Sequence, residues 1–117
     1  MYLGKAEIKK QIGSKGFYGK IELKVDLIKD FNVDISFNHE SQLKWESAIK
    51  AGAQYFYDKN IRYKKAGIEV KVLSIHDMIV DSSFMVFFYL TYSALCDAFQ
   101  LNNLIKINED AEFVVPK

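Results

Sequence analysis

A chain of 117 residues fits one domain, 1–117, and half of it is apolar, enough to build a core. Sixteen basic residues against fifteen acidic ones leave +1, which excludes a global basic field for nucleic acid; any such contact must come from a local patch. The one cysteine, Cys96, excludes an internal disulfide and fits a reduced, cytoplasmic setting.

Taken in chain order, the residues alternate first. Tyr2 to Ile12 reads as a strand, with Gly4, Ala6 and Ile8 on one side and Lys5, Glu7 and Lys9 on the other. Met1 to Lys10 holds no apolar h-region and does not read as a signal peptide. Gly13-Ser14-Lys15-Gly16 reads as a turn, because glycine permits positive φ. Lys20 to Leu27 alternates strictly, setting Ile21, Leu23, Val25 and Leu27 against Lys20, Glu22, Lys24 and Asp26. Phe31, Val33, Ile35 and Phe37 give a third strand after a turn at Lys29-Asp30.

The period then changes. Trp45, Ala48, Ile49, Gly52, Ala53 and Phe56 share one helical stripe, with Asn38 or Ser41 as the cap. Asn60 to Gly67 is a polar connection, and Ile68, Val70 and Val72 mark a fourth strand. Asp81 is the expected N-cap of a second helix, with Ser82 and Ser83 in its first turn. Met85, Phe88, Tyr92, Leu95 and Phe99 form its apolar stripe, and Phe84, Phe87, Ala94 and Ala98 a neighbouring one. Ser82 to Cys96 carries no charge, but it falls short of the about 20 apolar residues of a membrane span and reads as a buried core helix. Leu104 to Val115 is expected to add a short strand.

The expected class is α+β: a β-β-β-α-β-α order, with a four-stranded sheet carrying both helices on one face. Trp45, Ile49, Phe56, Phe88, Tyr92, Leu95 and Phe99 are the expected core. Lys20, Glu22, Lys24, Glu69 and Lys71 are expected on the wet face.

No catalytic or metal-binding constellation appears. His39, His76 and Cys96 are too scattered for a metal pattern, and a Cys–His pair would need a histidine brought beside Cys96. Gly13-x-x-Gly16-x-x-Gly19 precedes a strand, not a helix N-terminus, so it lacks the anion site of a phosphate-binding loop. The expectation is a non-catalytic domain without cofactor, metal, nucleotide or membrane partner.

Gly16-Phe17-Tyr18-Gly19, preceded by Lys9-Lys10-Gln11, resembles the glycine-tyrosine-glycine turn and the basic-glutamine run before it in domain IV of elongation factor G. Glu69-Val70-Lys71-Val72 followed by Val80-Asp81-Ser82-Ser83 resembles the last strand, tip loop and helix start of that domain, and Val114-Val115-Pro116 its exit. The resemblance runs over nearly the whole chain in the same order. It implies the ribosomal protein S5 domain 2-like fold, with a left-handed βαβ crossover. It also implies contact with the ribosome or structured RNA through two tip loops, which match Gly13–Lys20 and Ile75–Val80 here. The second loop is shorter than the family's, and the family's tip histidine falls on Met78, two residues after His76. There is no P-loop, so no nucleotide-driven translocation.

On that resemblance Lys15, Phe17, Tyr18, Lys20 and His76 are the candidate RNA-binding residues. Lysines would meet phosphates and an aromatic ring a base. The alternative is a protein-interaction or regulatory domain, homodimeric or with another protein, using Tyr55, Tyr57 and Tyr63.

Overall fold

The alternating residues at the start of the chain fold back on themselves as a long hairpin. Strand β1 (Tyr2–Ile12) pairs antiparallel with β2 (Lys15–Ile28), from Tyr2 opposite Val25 to Ile12 opposite Lys15. A computed structural model of the chain, which describes residues 1–60, 66–78 and 80–116, leaves only Gly13 and Ser14 between the two strands. Gly13 takes φ +60°, the backbone that a glycine supplies at the start of a two-residue hairpin turn. The turn is thus shorter than the four residues expected, and β2 starts at Lys15 rather than Lys20. Gly16 and Gly19 lie within the strand. Their role is space: a Cβ on Gly19 would stand 2.6 Å from Leu90, and one on Gly16 2.7 Å from the Asp81 carboxylate.

Strand β3 spans Val33–Phe37; Phe31, expected to open it, stands exposed in the preceding bend. A short 3-10 helix, Glu40–Trp45, leads into helix α1 (Glu46–Asn60). His39, not Asn38 or Ser41, caps the 3-10 helix: its Nδ1 accepts the Ser41 N–H, while the Gln42 carboxamide oxygen accepts the N–H groups of His39 and Asn38. Gln42 can reach back because it sits three residues past the cap, as in a capping box.

Strand β4 (Gly67–His76) pairs antiparallel with β2 and parallel with β3, giving the sheet order β1-β2-β4-β3. Across from Glu22 the register slips by one residue of β4. The slip resets the alternation, so that Val70 and Val72 face inward before it and Ile75, opposite Ile21, after it.

Helix α2 (Phe84–Phe99) packs on α1 and across β1 and β2, and both helices cover the same face of the sheet. Ile21, Leu23, Val25, Ile68, Val70 and Val72 are fully buried beneath them. Glu69 and Lys71 on the other face are exposed, and Lys20, Glu22 and Lys24 half-exposed. The α+β class, the element order and the placement of both helices agree with the sequence reading. The core differs in detail. Ile49, Phe56, Tyr92 and Leu95 are fully buried, but Trp45, Phe88 and Phe99 pack at its margin. Phe87 takes the central place expected of Phe88, with the Trp45 ring stacked on it at 4.6 Å.

The C-terminal segment does not join the sheet. Strands β5 (Lys106–Ile107) and β6 (Phe113–Val114) form their own two-stranded ribbon. It lies on the side of α2 that the sheet and α1 leave open. Phe113 meets Phe17 and Tyr89, the Asn103 amide donates to Ser93, and the Tyr55 hydroxyl donates to the Pro116 carbonyl. A helix apolar on this many sides needs a cover on each, and the tail supplies the last one. No helix among the described residues is long and apolar enough to cross a membrane.

Cys96 sits under this cover. Its thiol donates to the Asn102 carbonyl, and burial pushes its pKa up to about 11, against a smaller opposing effect of the Tyr92 hydroxyl hydrogen bond. Burial likewise raises the Tyr92 hydroxyl to about 12, with the nearby Cys96 as the next cause.

Two outcomes are expected. Phe87→Ala should lower the unfolding free energy by about 3–5 kcal/mol, and Phe88→Ala by less, measured by urea denaturation. At pH 8, alkylation of Cys96 by iodoacetamide should run at least about 100-fold slower in the folded chain than in denaturant. The raised pKa cuts the thiolate share by that factor, and burial slows access further. Both raised groups favour the protonated fold. Their stability contribution is therefore full below pH 9, and declines as pH rises from there through about 11 and 12.

Candidate nucleic-acid interface

The two loops singled out in the sequence meet at one end of the molecule. β1 runs towards this end and β2 away from it; β4 arrives here and α2 departs. Ser82 ties the loops together. Its hydroxyl donates to the Tyr18 carbonyl at 2.7 Å and accepts the Met78 N–H at 2.9 Å, and its own N–H donates to the Met78 carbonyl. A second link runs from the Tyr18 N–H to the Asp81 carbonyl at 3.0 Å. The stretch Asp81-Ser82-Ser83 thus divides its labour differently from the sequence reading. Ser83, with extended backbone and a hydroxyl that accepts the Val86 N–H, is the N-cap of α2. Asp81 is not. Its carboxylate rests over Gly16 and has no hydrogen-bond or ion-pair partner among the described residues.

Strand alternation divides the five candidate residues between two faces. Gly19 and Ile21 face the helices, so Phe17 and Lys15 stand on that side and Tyr18 and Lys20 on the open face. Phe17 is half-buried and packs edge-on against Phe113 at 5.4 Å, where it supports the tail ribbon. Lys15 is exposed beside the turn. His76 ends β4 directly opposite Lys20, and Glu7 lies opposite Lys20 on the other side. Lys20 also lies 3.8 Å from the Glu22 carboxylate, a weak, exposed pair.

Residues of β1 complete this end. Lys9 is the direct cross-strand neighbour of Tyr18, and Gln11 that of Gly16. With Lys10, Phe17, Tyr18, Met78 and Asp81 they line a hollow of about 330 Å³. Lys9, Lys10 and Lys15 have no ion-pair partner among the described residues.

The other functional candidates are engaged elsewhere. His39 is used in its cap, and Asp77 accepts the Trp45 indole N–H at 2.7 Å and pairs with Lys44 at 3.6 Å. The Tyr55 hydroxyl is held by Pro116, and that of Tyr57 donates to the Ala66 carbonyl. Tyr63 lies outside the described residues.

No protein-family model matches the chain, and no curated protein matches it. Among solved structures it is similar to a protein of Thermus thermophilus known from its crystal structure. The likeness has a TM-score of 0.64 and 23% identity over 80% of this chain. The matched part is 14% of that longer protein, so this chain corresponds in fold to a small portion of it.

Proposed function

We propose that this chain is a non-catalytic module like domain IV of elongation factor G, of the ribosomal protein S5 domain 2-like type, which binds the ribosome or structured RNA through the laced loop end. The observation that carries the reading is the meeting of both loops there, with Lys15 at the turn and Lys9, Tyr18, Lys20 and His76 on one adjoining face. Lysines without carboxylate partners are available to phosphates, and the overall charge of +1 demands such a local concentration. The order of the motifs along the chain supports the same reading. Asp81, Glu7 and Glu22 stand among the lysines, so affinity is expected to be modest and mainly electrostatic.

Purified ribosomes supply the test, by co-sedimentation at two salt concentrations. The parent chain should bind, and bind less at the higher salt. A Lys15→Gln, Lys20→Gln double variant, checked for a parental circular dichroism spectrum and melting curve, should bind more weakly. Its log–log salt slope should be shallower by roughly 0.7–0.9 for each phosphate that is no longer neutralised. Binding that ignores both salt and the substitutions would remove RNA from the reading and favour a protein partner or a second copy of the chain.

A further inference from the structure

The carboxylate in the middle of a lysine-bearing face looks misplaced for a phosphate site. Asp81 repels phosphate, it caps nothing, and it has no partner among the described residues. Yet Gly16 leaves room for it: a Cβ at that position would stand 2.7 Å from its nearer oxygen and push the carboxylate aside. Its backbone is also fixed. The Tyr18 N–H holds its backbone carbonyl, and the Ser82 hydroxyl beside it is bonded to the Tyr18 carbonyl. Gly16 and Tyr18 project to the same side of β2, so the carboxylate and the phenol ring border one hollow.

Three kinds of group converge there. The Tyr18 ring offers a flat face that is half-exposed. Lys9, its cross-strand neighbour, offers a positive charge, with Lys10 next along β1. The Asp81 carboxylate offers two acceptor oxygens and no donor. An aromatic face takes an unpaired base of any kind, and lysines take its phosphates. A carboxylate selects among bases. Guanine presents two adjacent donors, N1–H and the N2 amine, to a carboxylate's two oxygens. Adenine presents an acceptor, N1, beside its amine, and cytosine an acceptor, N3, beside its own. Uracil presents one N–H between two carbonyls. A carboxylate therefore matches guanine and opposes the lone pairs of the other three.

We infer that the hollow bordered by Tyr18, Asp81 and Lys9 is a subsite for one unpaired guanine of single-stranded RNA. The base stacks on Tyr18, its Watson–Crick edge faces Asp81, and its flanking phosphates lie towards Lys9 and Lys10. The subsite rests on the RNA-binding reading given above and adds a base preference to it. It also gives Asp81 a function in place of a defect, since the charge that weakens phosphate binding is the charge that reads the base.

The probes are fluorescently labelled RNA pentamers, UUGUU and UUAUU, titrated by anisotropy at low salt. The parent should bind UUGUU on the order of tenfold more tightly than UUAUU, the range of one two-pronged base contact. Asp81→Asn should bring that ratio close to one while UUAUU binds at least as well as before, because a negative charge has gone. Tyr18→Ala should weaken both pentamers on the order of tenfold, and Tyr18→Phe should retain both. Since the Asp81 side chain holds no hydrogen bond, its variant should keep the parental melting temperature. A parent that treats the two pentamers alike, or an unchanged ratio in Asp81→Asn, would overturn the subsite. So would failure of UUGUU to bind. If ribosome binding stayed salt-dependent alongside such a failure, the RNA reading would stand without the guanine subsite.

Discussion

Helix α2 lies on the β1–β2 hairpin at backbone distance, and most of the architecture depends on that approach. A Cβ on Gly4 would stand 2.0 Å from the Ala94 carbonyl oxygen, whereas one on Gly19 would meet the Leu90 side chain at 2.6 Å. Gly4 lets the helix backbone settle on β1 lower than any side chain would permit, and Gly19 gives room on β2 to the side chains of α2. At that height Asp97 reaches round the edge of the sheet and accepts the Lys5 backbone N–H at 3.0 Å. One outward donor of the edge strand β1 is thereby occupied, which counters pairing with another chain at that point. The low seat also leaves room above α2 for the tail ribbon.

Much of the fold was legible because most of its elements have one wet side. Alternation in Lys20–Leu27 and the 3-1-3-1-3 stripe from Trp45 to Phe56 each pointed to a single buried face, and most of each is found there, although Leu27 is exposed and Trp45 sits at the margin. Helix α2 was harder. It is apolar nearly all round, so its stripe could not tell which of Phe87 and Phe88 faced the sheet, and the wrong phenylalanine was placed at the centre. The tail was legible in part: a short strand was expected there and two are present, but no pattern showed that they pair with each other and cover the back of a helix. Glycines misled in another way: Gly13 needs its positive φ, whereas Gly16 and Gly19 need only the absence of a side chain, and a sequence shows no difference between the two demands. At the candidate site, the error in turn length hid the faces. Phe17 and Tyr18 were named together as candidates, although neighbouring residues of a strand point opposite ways.

The net charge of +1 conceals an ordered distribution. Across the open face, Asp34, Glu69 and Asp26 stand side by side on three strands, and the amino terminus lies 3.3 Å from Asp26. The next row brings Lys71 opposite Lys24. Farther on, at the laced end, come Lys20, His76 and Lys9, with Glu7 and Glu22 among them. One end of the face is thus a row of carboxylates, and the other mixes both signs.

The hydrogen bond between Lys5 and Asp97 joins residues 92 positions apart. Within this chain the first strand of the sheet is thus made well before the helix that seats on it. The β1–β2 hairpin is local and can close early, but its inner face stays open until α2 emerges. Helix α2 in turn keeps one apolar side uncovered until the tail ribbon follows. Such long sequence separations carry a loop-closure cost that must be met before any contact repays it, so this chain belongs among the slower folders of its size.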